Sequence, residues 1–299
     1  MTRRVLLSHA GTWLLAAPAL HSAQSTVASG EAPLERLALE RLAIVTDIHY
    51  ANKDTHGTRN YRASLAKLDE ALAQWKRAGV SMAIQLGDLV DASPTVEMEI
   101  EDLRTVLRKL RTLGVPWHFA LGNHCVSTLT KAQFLAEWGR QQSFYSIASS
   151  GYRCVMLDSA FTSDGQRYGG REFDWKDAYL PPSQLEWLRA ELAAARERVL
   201  VFVHHRLDGD DHYNVSNAAA VRSVLEASGK VIAVFQGHQH VNEHRLIGGI
   251  HYCTLKAMVD GAPPESSAYG VLELYADGTL HLRGYRLLAS QQMTAGSRG

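Results

Sequence analysis

The sequence predicts an α/β domain with a two-sheet β-sandwich core flanked by helices. Three observations predict it. Short apolar runs alternate with segments of helical spacing from Leu42 to Phe235, and from residue 250 onward only strand-like runs follow. The apolar runs also end repeatedly in Asp, Asn or His, so the polar residues collect at strand ends. Alternating strands and helices that give way to strands suit two packed sheets with helices outside.

Leu42 to Thr46 is an apolar run ending at Asp47, the pattern of a buried strand. Tyr61, Leu65, Leu68, Leu72 and Trp75 recur at helical spacing, so a helix is expected over about 61–78, closed by Gly79. Met82 to Leu86 reads as a second strand. Val96, Ile100, Leu103, Leu107 and Leu110 mark a second helix, stopped by Leu113-Gly114. Val115 to Leu121 is a third strand, and Lys131 to Trp138 a short helix. Phe144 to Ala148 and Tyr152 to Leu157 flank Ser149-Ser150-Gly151 as a hairpin. Residues 159–181 are an irregular insertion rich in Gly, Asp and aromatics. Pro182 and Ser183 open a helix with Leu185, Leu188 and Leu192 on one face. Val199 to Val203 is a strand, Ala218 to Ala227 a helix and Val231 to Phe235 a strand. The last strands are Ile250 to Leu255, Tyr269 to Tyr275 and Thr279 to Leu287, the final pair joined at Asp277-Gly278.

Composition narrows the function classes. Hydrophobic residues at 46% against 21% charged fit a globular chain with a substantial core and exclude a disordered one. Basic and acidic residues balance at 31 each, so there is no overall field to gather nucleic acid, and nucleic acid is not an expected partner. Cys125, Cys154 and Cys253 form no CxxC pair, and they read as small buried hydrophobes.

The N-terminus reads as an export leader. Arg3 and Arg4 precede a mostly apolar run from Val5 to Leu20, and small residues follow at Ser22-Ala23. The expected organisation is a signal peptide at 1–23, a linker at 24–40 and one domain at 41–290. Thr2-Arg3-Arg4-Val5-Leu6-Leu7 resembles a twin-arginine signal, which exports folded proteins. The expectation is therefore a periplasmic or extracellular protein with no stable membrane insertion after cleavage. The alternative is a retained N-terminal anchor.

Five strand ends carry the chemistry: Asp47-Ile48-His49, Gly87-Asp88-Leu89-Val90-Asp91, Gly122-Asn123-His124, His204-His205 and Gly237-His238-Gln239-His240. In α/β proteins, sites gather beyond the carboxyl ends of strands, so five such ends can converge on one pocket. Imidazoles mixed with carboxylates suit Mn, Fe or Zn better than Mg or Ca. A carboxylate such as Asp88 can bridge two cations. In D-x-H and H-x-H, residues at alternate positions of an extended segment point the same way. Glycines before Asp88, Asn123 and His238 allow the backbone to approach closely.

The ordered set D-x-H, GDxxD, GNH, H and GHxH resembles the calcineurin-like metallophosphoesterases, from about Leu42 to His240. Their αββα sandwich accommodates the trailing strands. Gly57-Thr58-Arg59-Asn60-Tyr61-Arg62 and Gly248-Gly249-Ile250-His251-Tyr252 look most like the manganese-dependent ADP-ribose/CDP-alcohol diphosphatase group. The resemblance implies two transition-metal ions, Mn, Fe or Zn. Asp47, His49, Asp88 and His240 would hold one, and Asp88, Asn123, His204 and His238 the other. It implies His124 as the catalytic group facing the substrate phosphate. Cys125 stands where the family often has an acidic residue, and Arg206 where it often has Pro. His204 directly follows its strand and is preferred as ligand over His205, which becomes a substrate-facing or supporting candidate.

The implied reaction is hydrolysis of phosphomonoesters, or of small nucleotide-like diesters and diphosphates. Two cations give a shared water hydroxide character near neutral pH and stabilise in-line displacement. His124 could donate a proton to the leaving oxygen or steady the developing charge. Arg59 and Arg62 could clamp a second phosphate, or simply lie in a solvated loop and a helix start. Tyr168, Phe173, Trp175 and Tyr179 could stack on a base, or pin a long loop. Asp91 is read as orienting a metal ligand or capping the next helix. A nuclease and a non-catalytic metal-stabilised binding protein are the competing readings.

Overall fold

The computed structural model describes residues 37–294, except residue 172. The leader at 1–23 and linker residues 24–36 lie outside the described residues.

The first sheet draws on both ends of the described chain. It contains β1 (Glu40–Val45), β2 (Met82–Gln85), β3 (Trp117–Phe119), β10 (Ala268–Leu274), β11 (Leu280–Arg286) and β12 (Gln291–Met293), in the order β12-β11-β10-β1-β2-β3. β1, β2 and β3 run parallel, with β10 antiparallel to β1. The second sheet contains β4 (Tyr145–Ser149), β5 (Tyr152–Met156), β6 (Arg198–Phe202), β7 (Val231–Gln236), β8 (Glu243–Ile247) and β9 (Ile250–Thr254), in the order β4-β5-β6-β7-β9-β8. Its centre, β5-β6-β7-β9, is parallel.

Strand alternation explains the layering. Leu42 and Ile44 pack inward with Ile84, Phe202, Phe235 and Leu272, forming a core between the sheets. Their neighbours Ala43 and Val45 face outward, against α1 (Ser64–Ala78) and α2 (Val96–Arg111), through Leu68, Leu72, Trp75 and Leu107. On the other side, Val199, Val201 and Val234 meet α4 (Pro182–Ala194) and α5 (Ala218–Ser228), through Leu188, Leu192, Val221 and Leu225. Both faces of each central strand are thus buried, and the layers run helix, sheet, sheet, helix.

Local chemistry sets the helix ends. Gly79 closes α1 at φ 64°. The Thr95 side chain accepts from the Met98 amide to start α2, and Thr130 and Gln133 form a capping box on α3 (Lys131–Trp138). α1 begins at Ser64 rather than near Tyr61: residues 61–63 form a turn that leads into it, with the Ser64 amide donating to Tyr61 O at 3.3 Å, and Tyr61 packs in a separate cluster with Ala51, Ala257 and Val259. The sequence reading missed β8 and β12. β8 is a largely exposed edge strand with polar residues, and β12 spans three residues on the opposite sheet's edge, continuing that sheet past residue 290. All three cysteines are buried free thiols. Among the described residues no helix is long and apolar enough to cross a membrane.

Candidate metal centre

The five strand ends meet at one edge of the sandwich, and the backbone there is unusual. Asp47, His49, Asp88, His238 and His240 all have positive φ, between 44° and 71°. Non-glycine residues rarely adopt this conformation, and such strain concentrates at functional sites. Asp47 and His49 therefore do not project together from an extended segment, as their alternation suggests. Their left-handed turns are held instead by bonds from the Asp47 amide to Gly87 O (3.1 Å) and from the His49 amide to Asp88 O (2.8 Å). Glycine permits the closest approaches. A Cβ on Gly122 would lie 2.1 Å from Asp88 Oδ1, and one on Gly237 would lie 2.6 Å from Asp47 Oδ2.

Two groups of donor atoms result. In the first, His240 Nε2 is 3.3 Å from both Asp47 Oδ1 and His49 Nε2, and His49 Nε2 is 3.5 Å from Asp88 Oδ2. In the second, His204 Nε2 is 3.2 Å from Asp88 Oδ2, 3.3 Å from Asn123 Oδ1 and 3.2 Å from His238 Nδ1. Asp88 Oδ2 stands between the groups. Its other oxygen, Oδ1, accepts from the His124 amide at 2.8 Å.

These residues fit cations. Metal–ligand bonds of about 2.0–2.2 Å give ligand–ligand edges of roughly 3.0–3.5 Å, the spacing seen here. The far nitrogens of three rings are engaged: His49 Nδ1 by Asp91 Oδ2 (2.9 Å), His204 Nδ1 by Leu86 O (2.9 Å) and His240 Nδ1 by Asp260 Oδ1 (3.3 Å). A proton held there leaves the Nε2 lone pairs facing the centre, the tautomer a metal requires. Asp47 Oδ1, a donor of the first group, is buried without a hydrogen-bond partner, and so are His238 Nε2 and His205 Nε2 on the rings beside the second group. Burial alone would raise the carboxylates and lower the imidazoles; opposite charge outweighs it at Asp47, Asp88, His49 and His204, whereas at His238 burial and the neighbouring His204 push the imidazole down to about 3. Asp47 and Asp88 are held well below the usual carboxylate range, and His49 and His204 are raised. The two carboxylates therefore stay ionised and face the centre with negative charge.

Around this core, His124 is partly exposed. Its Nε2 is 3.4 Å from Arg59 Nη1, and its Nδ1 is 3.3 Å from Asp91 Oδ2. Asp91 also accepts from Lys53 Nζ at 2.8 Å, whereas Thr95 caps α2. Cys125 is fully buried, and its Sγ accepts from the Leu89 amide at 3.3 Å. Arg206 is buried, binds Asp208 through two bonds of 2.8 and 2.9 Å, and also reaches Gln239 and Glu243. It thereby ties the His204 loop to the His238–His240 loop.

A cavity of about 460 Å³ opens over the centre, lined by Arg59, His124, Arg171, Phe173, Trp175 and Tyr213 among others. The structure divides the sequence candidates. Arg59 lines the cavity. Arg62 does not: it lies on the surface, paired with Asp54 (2.6 Å) and Asn52 (2.8 Å). His205 is not open to substrate either. It is fully buried, its Nδ1 is 2.8 Å from Ser159 Oγ, and it packs against His238. Phe173 and Trp175 reach the cavity, whereas Tyr168 is buried and stacks beneath Phe173 at 4.1 Å. Tyr179 is not among the lining residues. Arg171, Tyr213 and Asp260 were missed, since each sits in a loop with no motif to mark it.

An Asp–His–Asn cluster of this kind, at the strand ends of a four-layer sandwich, defines a binuclear metal-dependent phosphoesterase. A family model described as calcineurin-like phosphoesterase matches residues 40–242, and the chain belongs to that family. It is a metal-dependent phosphoester hydrolase. Among curated relatives, a manganese-dependent ADP-ribose/CDP-alcohol diphosphatase from Oryza sativa subsp. japonica is 24% identical, over 86% of this chain and 95% of that protein. The protein of the same name from Danio rerio is 25% identical, over 78% and 92%. Among solved structures, a dimetal phosphatase from Danio rerio superposes with a TM-score of 0.77 at 22% identity, covering 87% of this chain and all of that one.

Proposed function

We propose that the protein hydrolyses small nucleotide-like phosphate diesters or diphosphates at a two-metal centre. The observation that carries this reading is the cavity itself. It joins the metal-ligand cluster and His124 to two arginines, Arg59 and Arg171, and to the rings of Phe173, Trp175 and Tyr213. A phosphomonoester needs the first part alone, whereas a second phosphate and a flat ring would use the rest. The curated relatives carry the name of enzymes acting on ADP-ribose and CDP-alcohols, which are molecules of this form.

In this reading Asp47, His49, Asp88 and His240 hold one cation, and Asp88, Asn123, His204 and His238 the other. Manganese is the proposed metal, with iron or zinc as alternatives the same donors would accept. Such cations, when bound, polarise phosphate oxygens and acidify water. The chain's own residues do the remainder. His124 would offer its Nε2 proton to the leaving oxygen, with Nδ1 lying 3.3 Å from Asp91 Oδ2. Arg59, which can only donate to Nε2, must turn from the ring to the phosphate for Nε2 to carry that proton. Arg59 orients the phosphate chain, and Trp175 and Tyr213 shield the centre beside His238.

The test is a substrate panel on metal-analysed protein. It should contain p-nitrophenyl phosphate, its bis-ester and a set of nucleoside diphosphate esters, with added Mn. A kcat/KM highest for the nucleoside diphosphate esters is expected, and one highest for monoesters overturns the substrate reading. Export is proposed on the Arg3-Arg4 pair and the apolar run after it. Mass spectrometry of the mature N-terminus with cell fractionation checks it, and an intact Met1 on cytoplasmic protein counts against it.

A further inference from the structure

We propose that Asp260 is the positioning residue for His240, and that the loop carrying it, residues 256–261, also seats Arg59 in the cavity. One bracket would then set metal affinity and substrate affinity together. The inference rests on the reading of His240 as a metal ligand. Asp260 lies beyond the residues matched by the family model.

The carboxylate is held at both oxygens. Oδ1 lies 3.3 Å from His240 Nδ1 and accepts from Thr58 Oγ1 at 2.9 Å. Oδ2 accepts from Lys256 Nζ at 2.9 Å, and the same ammonium donates to His240 O at 2.7 Å. Lys256 therefore grips the carboxylate and the backbone of its histidine partner at once. With the Nδ1 proton engaged by Asp260, the Nε2 lone pair of His240 faces Asp47 Oδ1 and His49 Nε2. A carboxylate behind a ligating imidazole fixes its tautomer and ring angle and raises its basicity.

The loop is anchored from beneath and from the side. Lys67, on α1 and 1% exposed, donates to Met258 O at 2.6 Å and to Asp260 O at 2.7 Å. The Met258 and Val259 amides donate to Thr46 O (3.2 Å) and Asp47 O (3.0 Å), tying the loop to the segment that bears Asp47. The segment bearing Arg59 pairs along its edge, the Asn60 amide donating to Val259 O at 3.0 Å and the Gly261 amide to Thr58 O at 2.8 Å. His240 and the segment bearing Arg59 thus lean on one short loop.

The experiment compares Asp260→Asn, Asp260→Glu, Thr58→Val, Lys67→Met and His240→Ala in the full chain. Metal-free protein is titrated calorimetrically with Mn²⁺, and steady-state kinetics with bis-p-nitrophenyl phosphate follow at saturating Mn²⁺. Asp260→Asn should weaken one Mn²⁺ site by about 10–100-fold and leave the other unchanged, with Asp260→Glu restoring most of the loss. Lys67→Met should raise KM severalfold at saturating metal with little change in kcat. If that variant does not fold, Thr58→Val, which removes one support of Asp260, carries the same expectation. Two full-affinity Mn²⁺ sites in folded Asp260→Asn overturn the positioning role, and an unchanged KM in the loop variants overturns the coupling to Arg59. His240→Ala separates the causes. If it too keeps both sites, the ligand assignment has failed; if it alone loses one, only the role of Asp260 has.

Discussion

His204 Nε2 and His49 Nε2 approach the same oxygen of Asp88, Oδ2, at 3.2 and 3.5 Å, while Oδ1 is taken by the His124 amide. One carboxylate oxygen is therefore shared by both donor groups, and the other holds the backbone of the proposed proton donor. Asp88→Asn should cost metal at both sites and lower turnover by about 10²–10³-fold or more. His240→Ala should cost metal at one site only. Elemental analysis with turnover of each variant checks this, and full activity with two metals retained refutes the assignment.

The adjacent histidines should behave differently. His204 points Nε2 into the cluster, with Nδ1 on Leu86 O, whereas His205 turns Nδ1 to Ser159. His204→Ala is expected to lose metal. His205→Ala is expected to keep two metals but to lose about 1–3 kcal/mol of stability from an emptied buried site. Metal titration and thermal unfolding of the two variants decide, and loss of metal in His205→Ala alone reverses the choice.

Gly122→Ala tests the close approach. The added Cβ would fall 2.1 Å from Asp88 Oδ1 and 2.4 Å from the Asp88 amide nitrogen, so Asp88 must move. A cost of about 1–3 kcal/mol in stability is expected, together with weakened metal binding. Unaltered Mn²⁺ affinity in the folded variant would show that the shared oxygen does not depend on this contact.

His118 predicts a pH dependence away from the metal centre. It is 6% exposed, beside Tyr145, and burial with the nearby Arg140 pushes its imidazole down to about 4. Between the ordinary value near 6.5 and about 4, the unfolded chain binds a proton that the folded chain refuses. Stability from this group is full above that window and is lost as pH falls through it. In His118→Leu the fall between pH 7 and pH 4.5 should shrink by roughly 2–3 kcal/mol. Urea unfolding of both chains at the two pH values measures this, since metal release affects both alike. Parallel losses in the two chains count against it.

The elements were legible where their signal is local. Lys131 to Trp138 forms a helix over the predicted residues, and the Ser149-Ser150-Gly151 turn joins β4 to β5 as the hairpin pattern requires, with positive φ at Ser150 and Gly151. β8 carried no comparable signal, because a strand paired on one side and largely exposed on its faces has no apolar period to display. Tyr61 fitted the helical spacing of α1 yet belongs to another cluster, because spacing does not say which apolar surface a side chain meets.

By itself the sequence determined the family, the αββα order of elements and the residue types at the five strand ends. Apolar runs, helical periods and short motifs are properties of neighbours along the chain. Only the tertiary structure decided that Asp47 and His49 converge through left-handed turns and that Arg59 faces the cavity while Arg62 faces solvent. It likewise decided that Asp260 stands behind His240. These placements depend on hydrogen bonds between loops far apart in sequence, and a loop's own residues do not encode the partner against which it settles.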